Sequence, residues 1–308
     1  MDVAVSPPGV ASRLVTLRSG KRLGVAEFGT PDGLPLLAFH GAPASRLMFD
    51  VADDAARQLG LRLIAFDRPG YGLSPLDYGA TLASRTEIFA ELPDALGLDR
   101  FAIIGVSGGG PYAVAMAARL GRRIRALGLV SPLGPVADVA SRSVNDPLHL
   151  SMAHRMFFLD LPRHTWMLRF NAEIAARTFR AAPRMVASTF LHLLPEVDRE
   201  ILNRPEVSHS MIEMTLEATR HGISGGIADL EIYGEPWHVD YGAISAPSLL
   251  WQGLADAIVP VAVSLRLGTL IAGCKVERIA HAGHFWIYDK IAEVLGAVHD
   301  TIAAEAGA

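Results

Sequence analysis

The chain of 308 residues has one cysteine, Cys274. No intrachain disulfide can brace it, so the fold must rest on a buried core, and a reducing compartment suits it. Lysine is nearly missing: Lys21, Lys275 and Lys290 are the three lysines among 28 basic residues, and 32 acids leave a net charge of -4. That balance carries no electrostatic footprint for nucleic acid or for an anionic membrane. No apolar run approaches the roughly 18 residues that span a bilayer. Met1–Val10 lacks the basic and then apolar stretches of a signal peptide. These absences lead us to expect a cytoplasmic protein that spans no membrane and binds no nucleic acid. Hydrophobic residues make up 50% and charged residues 19%, a globular and not a disordered composition.

What is present is an alternation of two periods. Arg13–Leu17 and Arg22–Glu27 alternate apolar with polar residues around Ser19-Gly20, the pattern of a β-hairpin. Short apolar runs follow at Leu36–Phe39, Leu61–Phe66, Phe101–Val106, Ala126–Val130, Ser248–Trp251 and Val276–Ile279. Such runs suit strands buried on both faces. Between them, Ser45–Leu59, Thr81–Leu96, Gly109–Leu120, Val261–Ile271 and Ile287–Ile302 have helical spacing. The pattern predicts an α/β fold: a mostly parallel sheet with helices on both faces.

After Ser131 the alternation stops for about 100 residues, too long for a structureless loop. Helical spacing recurs at Leu148–Phe158, Trp166–Thr178, Arg184–Leu194 and Val207–Arg220. Six of the nine methionines fall in this stretch, with Phe157, Phe158, Trp166, Phe170, Phe179 and Phe190. We therefore expect a helical subdomain over residues 133–234, inserted into a core of residues 11–132 and 235–308. Its methionines and aromatics are either ordinary core or an adaptable apolar lid, with Met152, Phe157 and Met211 as candidate lining residues.

Gly105-Val106-Ser107-Gly108-Gly109 stands where a predicted strand meets a predicted helix. A serine exposed on a sharp strand-to-helix turn needs small neighbours, and the helix N-terminus aims N–H groups at developing negative charge. The rest of the chain repeats the pattern of one family. His40-Gly41-Ala42-Pro43 resembles an oxyanion loop, and Asp67-Arg68-Pro69-Gly70-Tyr71-Gly72-Leu73-Ser74 is similar to a D-x-x-G-x-G-x-S segment. Trp251–Pro260, with Asp256 inside it, resembles an acid loop, and Ala282-Gly283-His284 a histidine loop. Together they resemble the α/β-hydrolase superfamily over about residues 13–131 and 235–300, in that family's Ser, Asp, His order. The resemblance implies a catalytic triad of Ser107, Asp256 and His284, with the backbone N–H groups of Ala42 and Gly108 as oxyanion hole. Pro43 has no N–H to offer. His284 would accept the Ser107 proton, and Asp256 would hold the imidazole tautomer.

Competing residues have plainer readings. His281 lies three before His284 but does not follow Gly283. Asp138 follows Ala126–Val130, where some relatives place the acid. Asp67 reads as the brace of a turn and His40 as a residue shaping its own loop. His149 and His154 are five apart, not a helical metal pair, and no cluster has zinc-ligand spacing. Gly70-Tyr71-Gly72 is too short for a dinucleotide fingerprint, so no cofactor is expected. Serine at the elbow, in place of the aspartate of epoxide hydrolases and dehalogenases, suits acyl transfer. The leading expectation is hydrolysis of an ester, lactone or related acyl bond in a small apolar substrate. The alternatives are an aminopeptidase resembling proline iminopeptidase, with Glu173, Glu213 or Glu217 on the free amine; a carbon–carbon bond hydrolase; and a ligand receptor on the same fold.

Overall fold

The computed structural model of the protein describes residues 11–140 and 149–306. Eight strands form one sheet: β1 Ser12–Thr16, β2 Arg22–Gly29, β3 Leu34–Phe39, β4 Leu61–Phe66, β5 Phe101–Val106, β6 Ile124–Val130, β7 Ser248–Gly253 and β8 Lys275–Ile279. Their spatial order is β1-β2-β4-β3-β5-β6-β7-β8. The β1–β2 hairpin closes as Leu17 and Gly20 exchange backbone hydrogen bonds with Lys21 and Leu17, and joins β4 antiparallel. From β4 to β8 every pairing is parallel. Each strand expected from the apolar runs is present, longer by up to two residues at either end.

The central strands β3 to β6 are apolar almost throughout because both faces are covered, while the edge strands β1 and β8 are largely exposed. Leu37, Phe39, Ile64, Phe66, Ile103, Leu127 and Leu129 point to one side, packed with Phe89, Tyr112, Met116 and Leu267. Leu36, Ala38, Leu63, Ala65, Ala102 and Ile104, offset by one residue, point to the other with Ala56, Leu295, Val298 and Ile302. The first side is covered by α2 (Leu82–Ala95), α3 (Gly110–Leu120) and α11 (Val261–Leu270), the second by α1 (Asp53–Gln58) and α12 (Ile287–Ala306). The predicted helix at Ser45–Leu59 is instead a 3₁₀ segment, Arg46–Ala52, running into the short α1. Thr81 caps α2 by accepting the Ser84 N–H, while the Ser84 hydroxyl accepts from the Thr81 N–H.

Between β6 and β7 lie α4 Val136–Ala140, α5 Met152–Arg155, α6 Thr165–Ala181, α7 Pro183–Leu191, α8 Glu196–Leu202, α9 Pro205–Ala218 and α10 Ser224–Gly234. The helix expected from Leu148 begins outside the described residues; within them it is α5 followed by a π-turn over Met156–Asp160. Three helices here were not expected. Val136–Ala140 spans five residues, Glu196–Leu202 is short and charged, and Ser224–Gly234 is apolar nearly all round, so none shows the one-sided stripe that marks an amphipathic helix.

Phe89 is fully buried and meets Phe39, Phe66 and Tyr112 at ring separations of 5.6, 5.3 and 5.6 Å. Phe89→Ala should cost about 3–5 kcal/mol of stability through lost burial and a residual cavity. Phe170→Ala, at a side chain 64% exposed, should stay within about 0.5 kcal/mol. Urea denaturation of the two variants checks the contrast.

Candidate active site

β5 ends at Val106, and Ser107 turns the chain into α3 through a one-turn 3₁₀ segment. Ser107 has φ +53°, a left-handed backbone that a non-glycine residue holds only when its surroundings fix it. The glycines around it make room for neighbours. A Cβ on Gly105 would lie 2.6 Å from that of Ala113, and one on Gly109 would lie 2.3 Å from the Phe39 carbonyl oxygen. Helix α3 thus sits directly on β5 and β3, with its N-terminus behind the serine.

Three distant segments meet at this turn. The Ser107 Oγ and His284 Nε2 are 3.0 Å apart, and His284 Nδ1 lies 2.8 Å from Asp256 Oδ2. Asp256 is itself held: Oδ1 accepts the N–H groups of Ile258 and Val259, both at 2.9 Å, and Oδ2 accepts from Gln252 Nε2 at 3.2 Å. With Oδ2 facing it, Nδ1 must carry a proton, which leaves Nε2 as the acceptor for the serine hydroxyl. Burial works against a charged imidazole, but the attraction of Asp256, with a contribution from Asp198, outweighs it and lifts the His284 pKa above its ordinary value. The three residues are each 8% exposed, so the chain of hydrogen bonds is shielded yet open at one edge.

Ala42 and Gly108 stand side by side: a Cβ on Gly108 would lie 3.0 Å from the Cβ of Ala42. The Gly41–Ala42 peptide is fixed through its carbonyl, which accepts from His40 Nδ1 at 2.7 Å and from Arg68 Nη2 at 3.0 Å. His40 Nε2 accepts the Arg68 N–H at 3.1 Å, so the proton sits on Nδ1. Burial and the cations Arg68 and Arg46 hold the His40 pKa well below the usual range, keeping the ring neutral. His40 therefore shapes its own loop, as expected. Asp67 braces its turn by accepting the N–H groups of Arg46 and Leu73 at 2.7 and 2.8 Å and the Arg46 guanidinium at 2.7 Å.

The structure leaves the other candidates apart. His281 is exposed at a turn with φ +60°. Asp138 is part-exposed on α4 and faces Arg266 at 3.5 Å. Glu217 is engaged by Arg46 and Arg220, and Glu173 by Arg177. His154 Nδ1 pairs with the Ser151 hydroxyl at the start of α5. Among the described residues, no group of three or more His, Cys, Asp or Glu side chains could hold a metal ion, and no helix is long and apolar enough to cross a membrane.

Two residues of the insertion, missed in the sequence, reach this site. Asp198 of α8 is fully buried and accepts the N–H groups of His284 and Phe285 at 2.9 and 2.8 Å. Asp229 of α10, also fully buried, accepts from Arg68 at 2.7 and 3.2 Å and from the hydroxyls of Tyr71 and Tyr112 at 2.8 and 2.5 Å. Tyr233 lies 3.1 Å from the same carboxylate and donates to the Gly108 carbonyl at 2.8 Å. Burial, reinforced by the Asp229 charge, pushes all three tyrosine pKa values far up, so their hydroxyls stay donors. Asp198 sits in a charged stretch that reads as a solvated helix face and Asp229 in a largely apolar one, and nothing local in the sequence marks either carboxylate as buried.

A family model described as the alpha/beta hydrolase fold matches residues 35–291. The chain belongs to the α/β-hydrolase family. It is 27% identical over 296 residues to the 2-hydroxymuconate semialdehyde hydrolase of Pseudomonas putida, covering 95% of this chain and 94% of that one. Among solved structures, an esterase from Exiguobacterium antarcticum superposes with a TM-score of 0.70 at 19% identity, covering 94% of this chain and all of that one. The enol-lactonase from Burkholderia xenovorans gives 0.68, also at 19% identity, with 94% and 100% covered. These two likenesses are likenesses of fold.

The Arg68–Asp229 pair is wholly buried, so removing one partner strands the other. Asp229→Ala should destabilise the protein by about 3–5 kcal/mol. Tyr71→Phe, which removes one hydroxyl and leaves Arg68 paired, should cost about 0.5–1.5 kcal/mol. Chemical denaturation curves of both variants test this ordering.

Proposed function

We propose that this α/β-hydrolase cleaves an ester, lactone or related acyl bond of a small, largely apolar substrate through an acyl-enzyme on Ser107. The observation that carries the reading is the unbroken hydrogen-bond chain from the Ser107 hydroxyl through His284 to Asp256, at 3.0 and 2.8 Å. In this mechanism His284 Nε2 takes the Ser107 proton as Oγ attacks the acyl carbon. Asp256 stabilises the imidazolium that forms. The tetrahedral oxyanion is received by the N–H groups of Ala42 and Gly108, each worth about 3 kcal/mol in the transition state. Collapse expels the alcohol, protonated by His284. Water, deprotonated by the same nitrogen, then releases the acid and restores Ser107.

On this reading residues 11–132 and 235–308 form the core that supplies the chemistry, and residues 133–234 form a cap that selects the substrate. Met211 of α9 supports that role. It is half-buried, its sulfur accepts from the Tyr288 hydroxyl at 3.0 Å, and it packs in a cluster with Phe285, the neighbour of His284. Met152 is 84% exposed and Phe157 45%, and neither belongs to that cluster. Carbon–carbon bond hydrolysis is the second reading, favoured by the near full-length match to the Pseudomonas putida hydrolase. The ion pairs of Glu173 and Glu217 count against an aminopeptidase.

A fluorophosphonate should label Ser107 and nothing else, and Ser107→Ala should abolish labelling and lower kcat by about 10⁴–10⁶ while leaving the melting curve intact. Asp256→Asn should cost about 10⁴ in kcat, and Asp138→Asn should cost little. Because the His284 pKa is raised and the base must be neutral, kcat/KM should rise with pH through a midpoint above about 6.5. Labelling that persists without Ser107 would end this assignment. A panel of aryl esters, lactones, vinylogous diketones and prolyl arylamides then ranks the bond types. If the insertion selects substrate, Met211→Ala should reorder the preferred acyl-chain lengths by about 1–3 kcal/mol, and Met152→Ala should not.

A further inference from the structure

The loop that carries His284 is held from outside the core. Asp198 projects from α8, in the insertion, and both of its carboxylate oxygens are used: Oδ2 accepts the His284 N–H at 2.9 Å and Oδ1 the Phe285 N–H at 2.8 Å. Two oxygens that both accept, with no proton between them and a partner, is the pattern of an ionised carboxylate. Among the described residues no lysine or arginine forms an ion pair with it. Its charge is answered by backbone dipoles and by the imidazole beyond them. The residue before the histidine is fitted to this contact, because a Cβ on Gly283 would lie 2.3 Å from the Asp198 carboxyl atoms. Helix α8 is seated against the same loop by apolar packing: Leu194, Ile201, Leu202 and Val207 cluster with Phe285 and Tyr288.

We propose that Asp198 is a positioning residue for His284, a buried carboxylate from the insertion that fixes the histidine loop and adds a second negative charge beside the imidazole. The proposal rests on the triad reading above and deepens it, since the insertion then contributes to the chemistry as well as to substrate choice. Asp256 holds the ring by Nδ1, while Asp198 holds the backbone from which the ring is hung. Both charges favour the imidazolium that forms as Ser107 attacks. The charged and titratable groups around His284 are Asp256 from the loop after β7, Asp198 from α8 and Ser107 from the elbow. Tyr288 is half-buried on α12, and Arg204 and Asp289 neutralise each other at the exposed margin between α8 and α12.

The test is the rate of fluorophosphonate labelling of Ser107 against pH, which needs no knowledge of the substrate, in the full chain carrying Asp198→Asn. The isosteric amide keeps one acceptor, loses the charge and turns an NH₂ toward one of the two amides. Labelling should slow by about 10–100-fold, and the midpoint of its pH dependence should move down by about one pH unit, because one charge favouring the imidazolium is gone. A loosened loop alone would slow labelling at every pH and leave the midpoint in place. Glu200→Gln removes the same charge from an exposed position of α8 and should change neither. If Asp198→Asn does not fold, Gly283→Ala displaces the carboxylate by intruding a methyl, and it should lower rate and midpoint in the same direction. Unaltered rate and midpoint in either folded variant, or an equal effect from Glu200→Gln, overturns the proposal. Failure of the wild-type protein to label at Ser107 overturns the triad reading instead.

Discussion

The central strands of this protein have no polar face, and most of its architecture follows from that burial. Strands β3, β4, β5 and β6 are apolar on both sides, so helices must cover both, and parallel pairing with helical crossovers is the arrangement that provides them. Parallel strands all point the same way. The loops after β3, β5, β7 and the β8 turn therefore emerge near one edge of the sheet, where residues as distant as Gly41, Ser107, Asp256 and His284 become neighbours. A polar site assembled at that edge lies against a low-dielectric core, and its donors and acceptors must find partners within the protein.

That demand is met largely by the insertion. The guanidinium of Arg68 is fully buried and donates to the backbone carbonyls of His40 and Gly41, and its charge is balanced by Asp229 of α10. The Gly41 carbonyl and the Ala42 N–H belong to one peptide. A cation on the carbonyl fixes which way that N–H points and strengthens it as a donor. Asp198 of α8 does the corresponding work on the opposite loop. The core supplies Ser107, Asp256 and His284, and the insertion supplies the buried carboxylates that brace the loop of His284 and, through Arg68, the loop of Gly41.

Much of this was legible from the residues themselves. Strands β3 to β8 were read from short runs and the β1–β2 hairpin from its alternation, and the signature is uninterrupted in β5, which is buried on both faces. The serine turn was legible because a left-handed serine between packed elements demands the small residues that surround it. The loops of Asp256 and His284 were singled out by resemblance, and the structure joins both side chains to Ser107 in one chain of hydrogen bonds. Less readable was the stretch after Ser131. Its helix spacing marked α6, α7 and α9, but α8 is too short and charged, and α10 too evenly apolar, to show periodicity. The candidate lining residues Met152, Phe157 and Met211 were chosen by type, and side-chain type does not say that Met211 is half-buried while Met152 and Phe157 are exposed.

The sequence by itself determined the order of elements and the position of the strand-to-helix turn at Ser107, since each depends on local chain geometry and on the covalent order of short motifs. Tertiary structure alone decided which carboxylates are surface charges and which are buried. Asp138, Asp198 and Asp229 all sit in helices, and no local pattern sorts them, yet one faces Arg266 at the surface, one grips the histidine loop and one balances Arg68. A carboxylate is buried only where donors converge on it from several segments, and that convergence is a property of packed elements far apart in the chain.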